Sequence, residues 1–204
     1  QAATQILIDH VEELTALDQA IGDGDHGLNM RRGAQAIQAK MEALSTQTLN
    51  EALKTMGMTC MSTIGGSSGP VFGTLLVTLG KANIRTLDDL ADLATDELIQ
   101  KKRPEPRRRA ENAPQRTEDK VLAAAGDLKG PELLARVRQC ADDSVQATAH
   151  MEAGRGRSSF LGERALGHVD PGSRSMALII GSICDASFEQ TLVRIAQGKI
   201  DAAI

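Results

Sequence analysis

The sequence predicts an all-α fold, an antiparallel up-and-down bundle or barrel of about eight helices. Hydrophobic residues make up 41% of the 204 residues and aromatic residues only 1%, whereas strands are enriched in aromatic and β-branched side chains. Apolar residues recur at helical spacing, and short connections between the segments make successive helices antiparallel neighbours. The length fits a single domain over residues 1–204, with a core that needs no disulfides.

The first half of the chain carries the clearest helix signals. Ile6, Leu7, Val11 and Leu14 predict one amphipathic N-terminal helix that ends near Asp18. A second helix is expected over about residues 28–43. Capping and proline signals then predict helices that begin at Thr48, at Pro70 and at Thr86.

The second half of the chain is less regular. Residues 102–117 are charged and contain prolines, so we expect a loop or a mobile lid there. A weak helix is predicted over residues 119–125 and a long one over 131–153, before a Gly-rich stretch at 154–172. Ser173 is expected to cap an apolar helix that runs to Cys184, and Ser187 to cap a last helix.

Composition limits the classes of partner. The net charge is −4 and the pI about 5.6, so no overall basic field attracts nucleic acid or a membrane surface. The scarcity of aromatic residues argues against single-stranded nucleic-acid binding, and the basic run at 101–109 is interpreted as a solvated loop. Three cysteines without metal-ligand spacing, Cys60, Cys140 and Cys184, predict buried free thiols. With no visible signal peptide or membrane span, we expect a cytoplasmic protein.

An acidic run at residues 17–30 is the most informative segment. It places Asp18, Asp23 and Asp25 within eight residues, separated by glycines that let the chain turn sharply. Such a cluster repels itself unless a cation lies among the carboxylates, and Mg²⁺ takes carboxylates, water and substrate phosphates as ligands. Because Asp-Gly-Asp is also ordinary turn chemistry, the metal site needs support from a second segment.

Two further segments offer that support. Gly-Gly-Ser-Ser-Gly at residues 65–69, followed by Pro70, suits a phosphate cradle at a helix N-terminus; the alternative is a flexible interhelical turn. Residues 156–172 hold Arg157, Arg164, His168 and Asp170 among glycines. Arginine is suited to bidentate phosphate binding, but for Arg164 the favoured interpretation is structural, in which it pairs with a neighbour and holds the loop. Alternation of helix direction predicts that all three segments share one end of the bundle.

Three motifs carry a resemblance to a known family. They read Leu-Asp-x-x-Ile-Gly-Asp-Gly-Asp-His-Gly-x-Asn-Met at 17–30, Gly-Gly-Ser-Ser-Gly-Pro-x-Phe-Gly at 65–73 and Gly-Arg-x-Ser-Phe-Leu-Gly-Glu-Arg-x-x-Gly-His-x-Asp-Pro-Gly at 156–172. In this order and spacing they resemble the ADP-binding subunit of phosphotransferase-dependent dihydroxyacetone kinases, and also the kinase domain of ATP-dependent ones. The likeness covers residues 14–90 and 144–183.

The resemblance implies an antiparallel helical barrel that holds ADP or ATP at one end. It assigns two Mg²⁺ ions to the three aspartates of the acidic run. The residues that it implies for nucleotide binding lie in all three motifs: His26, Asn29, Gly66, Ser67, Ser68, Arg157, Asp170, Pro171 and Gly172.

The resemblance also implies a reaction shared between proteins. A phosphohistidine protein would rephosphorylate the bound ADP in place. The γ-phosphoryl would then pass to dihydroxyacetone held on a histidine of a separate subunit, so that this chain needs no base of its own. Those two proteins are the expected partners, and a transcription regulator is a further candidate.

The chain departs from the family at the lid. The family usually carries Gly-Asp-Lys-Thr-Met before its sixth helix, and neither the segment from Glu118 nor that from Glu105 matches it. This departure keeps open a second hypothesis, a nucleotide-occupied regulatory or scaffold module without turnover. Another small ketose as acceptor is a third. The fatty-acid kinase relatives carry Thr at the position of His26, which makes that branch a poorer fit.

Overall fold

Helices make up all the regular structure in the part of the chain that is described. The computed structural model describes residues 1–81, 130–153 and 157–201. For residues 130, 157 and 190–201 it describes the backbone alone. The helices are α1 (Ala2–Asp9), α2 (Val11–Ile21), α3 (His26–Gln38), α4 (Met41–Ser45), α5 (Leu49–Thr63), α6 (Ser68–Lys81), α7 (Gly130–Thr148) and α8 (Pro171–Asp201). Two 3₁₀ turns, Arg157–Phe160 and Gly162–Ala165, precede α8. The prediction of an all-α fold is confirmed.

The helices pack in a row. Helix α6 packs against α5, α5 against α3, and α3 against α1 and α2; α8 packs on α1, α2 and α7 and also touches α3. Among the described helices, the row therefore runs from α6 to α7. The predictions for residues 82–129, which include the helix from Thr86, the lid and the weak helix, lie outside the described residues.

The core of this row is aliphatic, as the composition predicts. Leu14 is 0% and Met30 1% exposed, and both pack with Leu7, Phe72 and Leu178. Fully burying an aliphatic side chain of this size contributes about 1.5–3 kcal/mol. All three cysteines are free and buried, which confirms that prediction. No helix among the described residues is both long and apolar enough to span a membrane.

The prediction of a single N-terminal helix is wrong. The helix breaks at His10, whose backbone (φ −107°, ψ 20°) leaves helical geometry. The ring Nδ1 of His10 lies 2.8 Å from the carbonyl oxygen of Ile6, at the end of α1. The second piece, α2, runs on to Ile21, so that Asp18 lies in a last helical turn and not after it.

Other boundaries also differ from prediction. Helix α3 begins at His26 and ends at Gln38, with the short α4 after it, whereas one helix over 28–43 was expected. The capping box at Thr48 and Glu51 is confirmed. Helix α6 begins two residues before Pro70, and α7 ends at Thr148, short of residue 153.

The prediction of two C-terminal helices is wrong as well. Helix α8 runs unbroken for 31 residues, and neither Ser173 nor Ser187 starts a helix. The Asp170 side chain accepts a hydrogen bond from the Ser173 backbone N–H at 2.6 Å and so takes the capping position. Pro171 then fills the first helical position, where proline is favoured. Serine alone marks a helix start weakly: no Gly or Pro lies between residues 182 and 187, and Gly181 lies inside α8 without breaking it.

Candidate metal and phosphate site

The three aspartates of the acidic run come together. Asp18 lies half-buried in the last turn of α2, and Asp23 and Asp25 are exposed in the connection to α3. Each offers one carboxylate oxygen, and these oxygens lie within 4.8 Å of one another. Hard divalent cations take several oxygen ligands from such carboxylates and complete their coordination with water or phosphate. The donor set therefore fits Mg²⁺.

Asp18 also caps the following helix. Its Oδ2 accepts hydrogen bonds from the backbone N–H groups of Asp25 at 2.8 Å and His26 at 3.1 Å. The first N–H groups of a helix have no partner within the helix, and here a carboxylate from the preceding helix supplies one. Gly22 leaves room beside the other oxygen, because a Cβ at residue 22 would overlap Asp18 Oδ1.

The approach of α2 to α3 depends on Gly27. A Cβ at this position would overlap the carbonyl oxygen of Val11 and the hydroxyl of Thr15, both on α2. The two helices therefore lie close enough at this point for Asp18 to reach the start of α3. The close contact at Gly27 therefore sets both the packing of α2 on α3 and the position of the carboxylate cluster.

His26 lies where the three predicted loops meet. It is the first residue of α3 and only 7% exposed. Its Nδ1 lies 3.3 Å from Oγ of Ser68, the first residue of α6, and its Nε2 lies 3.2 Å from Oγ of Ser175 near the start of α8. One imidazole ring thus links the N-termini of three helices.

The surroundings of His26 favour a neutral ring. Burial lowers the pKa of His26 below its usual value, because a charged imidazolium loses hydration. The carboxylates of Asp18, Asp170 and Asp25, and then a hydrogen bond to the Pro171 backbone, act in the opposite direction and raise the pKa less. A neutral ring carries a single N–H, so one of its nitrogens donates and the other accepts.

The turn at residues 170–172 is fixed on both sides. Besides capping α8, Asp170 donates its backbone N–H to the hydroxyl of Thr148, at the end of α7, at 3.0 Å. The backbone N–H of Gly167 donates to the carbonyl of Ala149 at 2.7 Å. This predicted loop therefore joins the end of α7 to the start of α8 beside His26.

The remaining predicted residues differ in burial and in their distance along the chain from His26. Asn29, 5% exposed, lies one turn after His26, next to residue 65: a Cβ there would come 2.7 Å from Asn29 Oδ1. Gly66, with φ +65°, and Ser67 are exposed at the start of α6. Arg157 opens the first 3₁₀ turn, and its side chain lies outside the described residues. Arg164 and His168 are exposed.

Sequence reasoning missed two features of this site. Ser175, which is completely buried, was not singled out because a serine in an apolar helix gives no signal of its own. The capping role of Asp18 was also missed, since capping patterns are local and this one spans seven residues. Only the three-dimensional approach of α2, α3 and α8 makes either visible.

The electrostatics of the site suit an anion beside a cation. The N-terminus of an α-helix carries roughly half a positive charge and unpaired N–H groups. The N-termini of α3, α6 and α8 meet at His26, and the carboxylate cluster lies directly before α3. Chemically, the arrangement can hold a phosphate group on the helix ends and a divalent cation on the carboxylates.

Comparison with known proteins agrees with these features. The sequence profile of one family, described as the DAK2 domain, matches residues 20–185. The chain is 34% identical over 187 residues to the ADP-binding subunit DhaL of the PEP-dependent dihydroxyacetone kinase of Escherichia coli K12, which covers 87% of this chain and 89% of that protein. It is 35% identical over 173 residues to the ADP-binding subunit DhaL of the PTS-dependent enzyme of Lactococcus lactis, covering 84% and 86%.

Longer proteins share only this part. The chain is 30% identical to the triokinase/FMN cyclase of Rattus norvegicus over 88% of its own length but 32% of that protein. The dihydroxyacetone kinase of C. freundii, solved with AMP-PNP and Mg²⁺, superposes with a TM-score of 0.64 at 21% identity, over 91% of this chain and 32% of that one. At that identity the likeness concerns the fold alone. The family profile and the two subunits, each aligned over most of its length, show that the chain belongs to the DAK2 domain family.

Proposed function

We propose that this chain is the nucleotide-carrying phosphotransfer subunit of a dihydroxyacetone kinase. One observation carries the proposal: the carboxylates of Asp18, Asp23 and Asp25 converge beside the point where three helix N-termini meet. Phosphoryl transfer depends mainly on positioning the phosphates and neutralising their charge. A cluster of oxygen ligands next to unpaired backbone N–H groups supplies both functions.

The three aspartates would hold magnesium, and we propose two ions. Held by these carboxylates, Mg²⁺ would supply positive charge that offsets the negative charge of the phosphates during transfer. Asp23 and Asp25 are exposed, which leaves room for water and phosphate as the remaining ligands. Asp18 would contribute from its fixed position on α2, where one of its oxygens is held by the start of α3.

The nucleotide would be held by the residues around His26. Backbone N–H groups of Gly66, Ser67 and Ser68, at the exposed start of α6, would bind phosphate oxygens. His26 and Asn29 would line the same site from α3. Arg157 and the turn of Asp170, Pro171 and Gly172 would contact the nucleotide from the third side.

Other proteins would supply the rest of the reaction. The relatives in E. coli and L. lactis are named as ADP-binding subunits of PEP- and PTS-dependent enzymes, which supports a captive ADP that a phosphohistidine protein rephosphorylates. The acceptor would be dihydroxyacetone, or another small ketose, on a separate subunit. Buried free thiols persist in a reducing compartment, and we place the protein in the cytoplasm.

The first test measures what the purified chain carries. The protein is passed through gel filtration in Mg²⁺ buffer, heat-denatured, and its supernatant assayed for nucleotide. We expect about one ADP per chain, and loss of this nucleotide in Asp23→Ala. Glu42→Ala removes an exposed carboxylate from α4, beyond the far end of α3, and should retain it. An empty wild-type protein that binds ATP weakly and reversibly would contradict a captive cofactor.

The second test measures transfer. The loaded chain is mixed with its acceptor subunit, its phosphohistidine donor and dihydroxyacetone, and dihydroxyacetone phosphate is followed over time. Multiple turnovers per chain are expected, and Asp23→Ala should abolish them. Retained nucleotide together with binding of both partners but no product would favour the regulatory module instead.

A further inference from the structure

Ser175 occupies a position on α8 that none of the motifs covers. It is 0% exposed, and its Oγ donates a hydrogen bond to the backbone carbonyl of Gly172 at 2.8 Å. A carbonyl oxygen only accepts, and a serine hydroxyl has one hydrogen. That hydrogen is therefore committed to Gly172, and the Ser175 oxygen faces His26 Nε2, 3.2 Å away, with lone pairs alone.

This commitment fixes the hydrogens of the His26 ring. Nε2 must carry the N–H, because it faces an oxygen that has no hydrogen left to donate. In the neutral form of this buried ring, Nδ1 is then a bare acceptor. The hydroxyl of Ser68, 3.3 Å from Nδ1, must donate to it. A directed chain of hydrogen bonds results, running from Ser68 through His26 and Ser175 to Gly172.

We propose that Ser175 is a positioning residue for the phosphate site. It sets the tautomer and orientation of His26, and through the ring it directs the Ser68 hydroxyl and fixes the N-termini of α6 and α8 to that of α3. The role rests on the proposed function, in which phosphate oxygens bind at these helix ends. Ser175 itself is completely buried, so it acts through the ring.

The experiment reads the ring directly. In the full-length chain with ¹⁵N-labelled histidine, a long-range ¹H–¹⁵N correlation spectrum distinguishes the two neutral tautomers, and the His26 signals are those that disappear in His26→Gln. Spectra are recorded with and without Mg²⁺ and ADP. We expect the Nε2–H tautomer in the wild type. Ser175→Ala should raise the Nδ1–H population, because Nε2–H then loses the Ser175 hydroxyl as an acceptor and keeps at most the Pro171 carbonyl.

Affinity provides the second measurement. A buried donor that loses its acceptor costs roughly 1 kcal/mol, so Ser175→Ala should weaken Mg²⁺–ADP binding by about threefold to tenfold in equilibrium dialysis. Ser182→Ala is the matched control: it lies on the same helix, and its buried hydroxyl has no hydrogen-bond partner among the described residues. This control should change neither tautomer nor affinity. Ser68→Ala should retain the Nε2–H tautomer, because the chain of donors starts from it.

Two results would overturn the proposal. One is a wild-type ring in the Nδ1–H form, which reverses the direction of the chain. The other is a Ser175→Ala protein with wild-type tautomer populations and affinity. These failures differ from a failure of the proposed function. If wild-type protein binds no Mg²⁺–ADP, the proposed function is wrong. The tautomer measured in the ligand-free protein still tests the hydrogen-bond chain.

Discussion

The N-termini of α5 and α3 are capped in two different ways. At α5 the cap is local: the Glu51 backbone N–H donates to Thr48 Oγ1 at 3.4 Å, and the Thr48 N–H donates to Glu51 Oε2 at 3.0 Å. At α3 the residue in the capping position, Asp25, makes no such side-chain bond. Asp18, seven residues earlier on α2, accepts from the α3 backbone instead.

The contrast between these two caps shows how the site depends on the fold. A local cap stabilises its own helix and does nothing else. The distant cap ties the end of α2 to the start of α3, and it leaves the Asp25 side chain available to the carboxylate cluster. Stability and ligand binding are therefore coupled at α3 and separate at α5, and each of the following changes tests that contrast.

Asp18→Ala should have the largest effect, because it removes a cap and a ligand together. Losing an outer-shell partner of a metal site typically weakens binding about 10–100-fold, and losing a ligand should exceed that. Loss of the capping acceptor should also reduce the free energy of unfolding by about 1–2 kcal/mol. Isothermal titration with Mg²⁺–ADP and urea unfolding measure the two effects. A variant as stable as wild type would contradict the capping role.

Asp25→Ala separates the two roles of the cluster. It removes a carboxylate of the same charge, but the backbone N–H that Asp18 caps remains. We expect a loss of Mg²⁺–ADP affinity comparable to that of Asp18→Ala. The free energy of unfolding without ligand should stay within about 0.5 kcal/mol of wild type. If both variants were equally destabilised in the same urea titration, the distinction between the two aspartates would fail.

Gly27→Ala tests the helix contact that brings Asp18 to α3. The added methyl would overlap Val11 and Thr15, and overpacking of this kind costs about 1–3 kcal/mol. Affinity for Mg²⁺–ADP should fall as well, because α2 must move away. In Gly181→Ala the methyl would lie 3.4 Å from the Arg138 side chain, an ordinary contact, so thermal unfolding should show equal or slightly higher stability.

Thr48→Ala should have the smallest effect on the site, because it changes stability alone. Removing the hydroxyl of an N-cap threonine costs about 1 kcal/mol of stability. Thr48 lies at the opposite end of α5 from residues 65–69. Mg²⁺–ADP affinity should therefore be unchanged. Urea unfolding and titration calorimetry on the same preparation give both values. A parallel loss of affinity would show that capping at α5 is not separate from the site.

Much of this fold and site could be predicted from the sequence. The all-α class, the aliphatic core and the capping box at Thr48 followed from composition and local pattern. The resemblance was confirmed at the level of the family. The errors concern the break at His10 and the unbroken α8. In both places the local pattern gave the wrong boundary: the His10 ring contacts the Ile6 carbonyl where the helix breaks, and α8 continues through Ser173 and Ser187.

Residue types and glycine placement are local properties, so the sequence alone was enough to predict which residues would bind a metal and a phosphate. Only the tertiary structure decided how those residues cooperate. Asp18 caps a helix other than its own, and Ser175 lies 149 residues after the histidine that it contacts. Such contacts arise from the packing of α2, α3 and α8, and no local pattern in the chain specifies them.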